Sequence, residues 1–383
     1  MLVQSPPMGW NSWNTFGPDV CEAAVKEAAD LLVSLGLKDA GYEYVVIDDC
    51  WALRRRNEDG RLVADPDKFP SGMKALADYV HSKGLKFGIY SCVGVLTCAG
   101  YPGSYEHEFE DAETFASWGV DFLKYDYCFK PSAFDGAQLY NRMAMALRAT
   151  GRDILFSACS WGHQDTVKWA RAVGAHMFRS DTDVHDFYTK IRTVSINQIP
   201  NICYSAPNCY NDMDMLVCGM KNNGFVAKGG CTDEEYRLQF ALWALCGSPL
   251  FIGSDLSKLD GDTLSLLTNK HLLAINQDKE ARPPFRFSQW RDTDERLAEE
   301  ELFLLWKHLD NGEYAMGFFN FSDVRRGCFA KFTDFGLPAT APFGVSLFDI
   351  FEEKELGVFK DYYSMELEPH SCAVFRARLV RDE

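Results

Sequence analysis

The stretch 121-DFLKYDYC-128 sets two opposite charges, Lys124 and Asp126, two residues apart in a run that otherwise reads as a buried strand. A strand alternates its faces, so both side chains point the same way. Over an apolar core that would be costly. In a closed barrel the shared side is the lumen, which opens to solvent at the strand's end. The stretch therefore predicts a barrel strand whose C-terminal end carries chemistry. Asp121 stands at its other end.

The flanking sequence repeats the pattern. Short β-rich runs recur at 8-MGW-10, 44-YVVID-48, 86-KFGIYS-91, 154-ILFSAC-159, 177-MFRSD-181, near 202-ICYSAP-207 and at 249-PLFIG-253. Helical patterns stand between them, over roughly 20–36, 72–83, 107–118, 137–149, 163–173, 185–198, 233–246 and 262–270. In the first, Val20, Ala24, Ala28, Leu31, Leu32 and Leu35 share one stripe, and Gly36 ends it. Eight strand–helix units predict a (β/α)8 TIM barrel over residues 1–282. After Pro283–Pro284 the helical signal fades. The runs 302-LFLLWKHL-309, 314-YAMGFFNF-321, 345-VSLFDIF-351 and 371-SCAVFRARLV-380 predict a C-terminal antiparallel β-sandwich domain over 283–383.

The 383 residues carry 39 Lys and Arg against 55 Asp and Glu, a net charge of −16. That argues against nucleic acid or an anionic membrane as partner. No apolar run approaches the ~18 residues of a membrane span, and no secretory signal is visible at the N-terminus. With that start, the 13 cysteines read mostly as reduced thiols and the expected location is cytoplasmic. Homo-oligomerisation is left open.

Barrel enzymes work at the C-terminal ends of their strands. Here those ends carry Trp10; Asp48 and Asp49; Tyr90, with Cys98 beyond; Lys124 and Asp126; Cys159, Ser160 and Trp161; Arg179, Asp181 and Asp183; Asp212 and Asp214. A lone aspartate after a strand is more often a turn former or helix cap, and a lone tryptophan is more often packing. Their convergence on one rim outweighs that. Carboxylates accept from sugar hydroxyls, and aromatic rings stack on a pyranose face. Lys124 and Arg179 in the same constellation oppose a divalent cation, so no metal is expected. Neither GxxxxGK[ST] nor GxGxxG occurs, so no phosphate cofactor is expected. The expected partner is a small-molecule carbohydrate.

At these residues the chain resembles glycoside hydrolase family 27. The motifs are 8-MGWNSWNTF-16, 39-DAGYEYVVIDDCW-51, 87-FGIYSCVGVLTCAGYPGS-104, 122-FLKYDYC-128, 157-SACSWG-162, 211-NDMDML-216, 248-SPLFIGSDL-256 and 274-AINQD-278. The likeness runs from about residue 5 to the end. It implies a retaining exo-glycosidase that releases terminal α-linked D-galactose from oligosaccharides or glycoconjugates through a covalent galactosyl-enzyme. By motif, Asp126 matches the nucleophile and Asp183 the acid/base. Asp48 and Asp49 match the holders of the 4- and 6-hydroxyls, and Lys124 a hydroxyl-binding lysine. Trp10, Tyr90, Cys98, Asp214 and Met215 match pocket walls, and Arg179 a contact to the 2-position. Such a mechanism wants Asp126 ionised, favoured by Lys124, and Asp183 protonated, favoured by burial and nearby carboxylates.

The chain also departs from the family. The resemblance implies a disulfide between Cys98 and Cys128. Cys50 lacks its usual partner, since Gly17 stands there, and Cys159 faces Ala175 instead of a cysteine. In 159-CSWG-162, Ser160 would leave room for an acetamide, so an α-N-acetylgalactosaminidase is the alternative. The short CxWG form, in which Cys159 and Trp161 wall the site, favours galactose. Asp49 argues for a C6 hydroxyl and against a β-L-arabinopyranosidase. A catalytically inactive sugar-binding protein is remote, because Asp126 and Asp183 are both present.

Overall fold

The computed structural model describes residues 2–288, 301–338 and 340–381. Eight parallel strands form one curled sheet: β1 (Met8–Asn11), β2 (Tyr44–Val46), β3 (Lys86–Cys92), β4 (Phe122–Asp126), β5 (Leu155–Cys159), β6 (Met177–Arg179), β7 (Tyr210–Asp212) and β8 (Leu250–Ile252). Neighbours in sequence are neighbours in the sheet, and β8 lies beside β1. The ring closes just beyond β7. There Leu216 pairs in parallel with Ile252, its N–H donating to Phe251 O at 2.7 Å. The strands are buried on both faces, as a parallel sheet covered by helices requires.

Helices follow the strands at Glu22–Ser34, Gly72–Ser82, Glu108–Trp118, Gly136–Ala149, Thr166–Val173, Tyr188–Gln198, Asp233–Cys246 and Gly261–Leu267. Their starts are specified locally. Asp135 caps Gln138 N, and Thr232 and Glu235 make a reciprocal capping box. Inside the barrel, Tyr44, Phe122 and Phe251 pack with ring centroids 5.3–6.3 Å apart. This layer packs within the lumen with Leu155, Met177 and Tyr210.

One expected strand is not one. Residues 199–204, reaching into 202-ICYSAP-207, form a 3-10 helix with Pro200 in its first turn. Ile199 and Ile202, three apart, are its buried positions, the period of that helix and not of a strand. The seventh strand is Tyr210–Asp212.

The antiparallel strands begin at Phe285. A six-stranded sheet runs, in spatial order, Phe285–Ser288, Leu302–His308, Tyr314–Asn320, Ser371–Arg381, Phe343–Asp349 and Lys354–Phe359. Arg326–Lys331 and Tyr362–Leu367 pair as a second sheet. Phe303, Leu305, Phe319 and Val374, from one face of the larger sheet, belong to the same buried cluster as the barrel's helices. Around that seam His370 lies over Tyr188 with centroids 3.6 Å apart and reaches Glu235 and Asp323, each at 2.8 Å.

A shared core predicts one cooperative unfolding. Leu305→Ala, at a fully buried position of the seam, is expected to cost about 2–5 kcal/mol in denaturant titration and to keep a single transition. A separate early transition of the sandwich, with the barrel midpoint unmoved, would contradict it.

Candidate active site

Register builds the site. Cys92, Asp126, Cys159, Arg179 and Asp212 are successive Cα partners from β3 to β7, so they form one rung at the strand ends. Asp126, nearly buried, accepts from the Tyr90 hydroxyl at 2.9 Å and from Tyr127 N at 3.2 Å. One turn of the pleat below, Lys124 donates to Asp48 at 2.6 Å. Asp48 also accepts from Asn11 Nδ2 at 2.8 Å and from Asp49 N at 2.9 Å. Asp49 is held by Cys50 N at 2.7 Å and Ala99 N at 3.0 Å. The β2 end is therefore tied to three neighbouring segments.

On the far side, Arg179 donates to Asp214 at 2.7 Å and to Asp183 at 3.1 Å, and its Nε has no partner among the described residues. The second oxygen of Asp214 accepts from Val184 N at 2.6 Å. Asp214 thus fixes the guanidinium and the backbone next to Asp183. Asp214 and Trp161 both adopt positive φ, 78° and 53°, a cost of order 1–3 kcal/mol each that a surrounding structure must over-determine. Gly162 makes the bend after Trp161 feasible: a Cβ there would lie 2.4 Å from Ser180 O.

These groups line one cleft with about 70 Å³ of room. Of the residues singled out in the sequence, the cleft is lined by Asp48, Asp49, Tyr90, Cys98, Lys124, Asp126, Trp161, Arg179, Asp183, Asp214 and Met215. Asp126 lies at 6% exposure, whereas the Asp183 side chain is 54% exposed. One carboxyl is sunk into the cleft and the other is open to solvent.

Three expected wall residues lie outside it. Trp10 is turned into the layer between strands and helices, its indole donating to Ser254 O at 3.1 Å. Its neighbour Asn11 takes the lumen side, as strand alternation demands. Cys159 is covered, with its sulfur 3.9 Å from the Arg179 guanidinium. Ser160 is fully buried and shares a hydrogen bond with the Thr166 hydroxyl at the start of the next helix. Four lining residues were not foreseen: Trp13, Asn14, His185 and Val226. Trp13 and Asn14 stand in the quoted 8-MGWNSWNTF-16, and His185 stands two residues after Asp183; Val226 gave no signal.

Protonation also differs from expectation. Burial pushes the Asp126 carboxyl up to about 7, against the pull of Lys124 and the Tyr90 hydrogen bond. Lys124 gives its hydrogen bond to Asp48, not Asp126. Burial would raise Asp183 too, but the Arg179 guanidinium holds it below the usual carboxylate range. Of the two, Asp126 is therefore the carboxyl that holds a proton more readily. Burial raises Asp49 and Asp214 as well, and Asp212 to about 6.

Cys98 and Cys128 are joined in a disulfide, with Cα atoms 5.2 Å apart. Their sulfurs and Asp126 form a close trio of donor types, but disulfide sulfurs carry no thiolate, so the trio offers a cation only one carboxylate.

Residues 5–278 match the family model described as alpha galactosidase A, and 299–377 the alpha galactosidase C-terminal beta sandwich domain. The chain belongs to the α-galactosidase family, glycoside hydrolase family 27. Among the curated members of this family, alpha-galactosidase 3 of Arabidopsis thaliana is 48% identical over 277 residues, 72% of this chain and 61% of that one. The α-galactosidase of Cyamopsis tetragonoloba is 39% identical over 376 residues, 98% of this chain and 86% of that one. Among solved structures of the family, α-galactosidase I from Mortierella vinacea superposes with a TM-score of 0.89 at 32% identity, covering 100% of this chain and 99% of that one.

The disulfide predicts a thiol count. Alkylation of denatured protein without reductant should label eleven of the 13 cysteines, and all of them after reduction. Full labelling without reductant would contradict the Cys98–Cys128 bond.

Proposed function

We propose that the protein is a retaining exo-α-galactosidase that hydrolyses terminal α-linked D-galactose by double displacement. The observation that supports it most is the pairing of a sunken carboxyl, Asp126, with an open one, Asp183, in a single cleft. In this reading Asp126 attacks the anomeric carbon and forms the galactosyl ester. Asp183, at the mouth where the aglycone leaves, gives its proton to the departing oxygen and then takes one from water. The mechanism asks for the two carboxyls about 5–5.5 Å apart.

The other lining groups receive the sugar. Asp48 and Asp49, fixed by backbone N–H groups and Lys124, offer remaining lone pairs to the 4- and 6-hydroxyls. Lys124 adds a donor. Arg179, beside Asp183, stands on the 2-side, and Trp161, Tyr90 and Met215 give the walls. Galactose is favoured over N-acetylgalactosamine, because Ser160 lies outside the cleft and opens no space for an acetamide. The eleven free cysteines favour, as part of the same proposal, a cytoplasmic setting.

The proton must move from Asp126 to Asp183 before attack. That transfer stays within the pair, so the singly protonated cleft remains the reactive form. Raising the pH through about 7 removes this last proton. We therefore expect kcat/KM for p-nitrophenyl α-galactoside to fall as pH rises through about 7. A profile that climbs through that range would contradict the pair's assignment. Asp126→Asn should leave no measurable turnover, and Asp183→Asn should lower kcat on melibiose about 10²–10⁴-fold, with circular dichroism unchanged in both. Full activity in either purified variant would refute its role. The 2-acetamido analogue should be a poor substrate beside the galactoside; the reverse order would restore the N-acetylgalactosaminidase alternative.

A further inference from the structure

Between the cleft and the aromatic layer of the lumen lies a second, smaller space. It shares Lys124, Arg179, Asp214 and Met215 with the cleft and reaches down to Phe122 and Phe251. Its room is about 20 Å³. A buried water needs about 10–15 Å³ and roughly two to four polar partners. The space is the size of one water.

The polar partners are specific. Arg179 is 2% exposed, and its Nε is buried with no hydrogen bond among the described residues. Its terminal nitrogens are already committed, to Asp214 at 2.7 Å, to Asp183 at 3.1 Å and to Asp181 O at 3.0 Å. Asp212, its Cα partner on β7, lines the same space and is nearly buried. One oxygen of Asp212 accepts from Asp214 N at 2.9 Å; the other accepts nothing among the described residues. Ser157, two residues below this rung on β5, brings a hydroxyl to the space. A buried donor and a buried acceptor left unmet are each costly. A single water between them meets both.

We propose that one ordered water fills this space and bridges Arg179 Nε to Asp212, which makes Asp212 a positioning residue for the acid/base. This rests on the galactosidase reading and adds to it a group that touches no substrate. The water accepts from the Nε–H and donates to the Asp212 carboxylate. With Nε tied from below and the terminal nitrogens tied from above, the guanidinium plane cannot turn. Arg179 is the hydrogen-bond partner of the Asp183 side chain, and among the described residues it has no other. A guanidinium that turns would therefore carry Asp183 out of place.

The test is Asp212→Asn, which keeps the side chain's size and an acceptor for Asp214 N but removes the charge that anchors the water. Melibiose releases a sugar alkoxide and needs the proton of Asp183; 2,4-dinitrophenyl α-galactoside has a leaving group that departs unprotonated. The variant should lower kcat/KM for melibiose about tenfold and leave the dinitrophenyl substrate within about twofold. A crystal structure of the unmutated protein should show one water within hydrogen-bond distance of both Arg179 Nε and Asp212, and it decides the case even if the variant does not fold. An equal or larger fall on the dinitrophenyl substrate, no change on melibiose, or a space without water would overturn the proposal. Failure of the unmutated protein to cleave even the dinitrophenyl substrate would instead refute the galactosidase reading, and the role of Asp212 with it.

Discussion

Two cations held inside the barrel's mouth make the rest of the site possible. Lys124 is 14% exposed and its partner Asp48 only 3%; Arg179 and Asp214 are 3% and 4% exposed. Asp48, Asp49, Asp126, Asp212 and Asp214 crowd the same strand ends, all nearly buried. Without a buried positive charge on each side, so many carboxylates could not share one rim. Such pairs add little net stability, but losing one partner leaves an uncompensated charge and costs about 3–5 kcal/mol. Their value is positional. Asp48 stays fixed, Asp214 holds both the guanidinium and the backbone beside Asp183, and the closed barrel keeps the arrangement rigid.

Much of this was legible in the sequence. The two-residue spacing of Lys124 and Asp126 placed both on the lumen side, and the register shows them there. Alternating strand and helix patterns gave the barrel, because apolar period is a direct consequence of which face is buried. The convergence of Asp48, Asp126, Asp183 and Asp214 on one cleft followed from a rule about strand ends, not from any one residue.

What the sequence hid is decided by parity, torsion and competition. Trp10 and Trp13 look alike on paper, but strand alternation turns the first outward and the short helical turn at Trp13–Phe16 brings the second to the cleft. Ser160 leaves the wall because the backbone bends at Trp161, and a positive φ at a non-glycine residue has no sequence signature. The run at 202–207 held β-formers, yet Pro200 and the three-residue burial period won. The protonation order reversed because burial weighs on Asp126 while Arg179 stands beside Asp183. That balance depends on distances, which a spacing of two residues along one strand cannot supply. Val226 belongs to a loop whose path is set by Asp186, a contact between distant parts of the chain.

The central claim is that Asp126 is the group that bonds to the sugar. Trapping tests it most directly: incubate the protein with a fluorinated α-galactosyl fluoride whose ester hydrolyses slowly, then digest and map the adduct by mass spectrometry. The account predicts one fluorogalactosyl group per chain, carried on the peptide that contains Asp126. An adduct on Asp183 or on any other carboxylate, or turnover through an inverted product with no adduct, would contradict it.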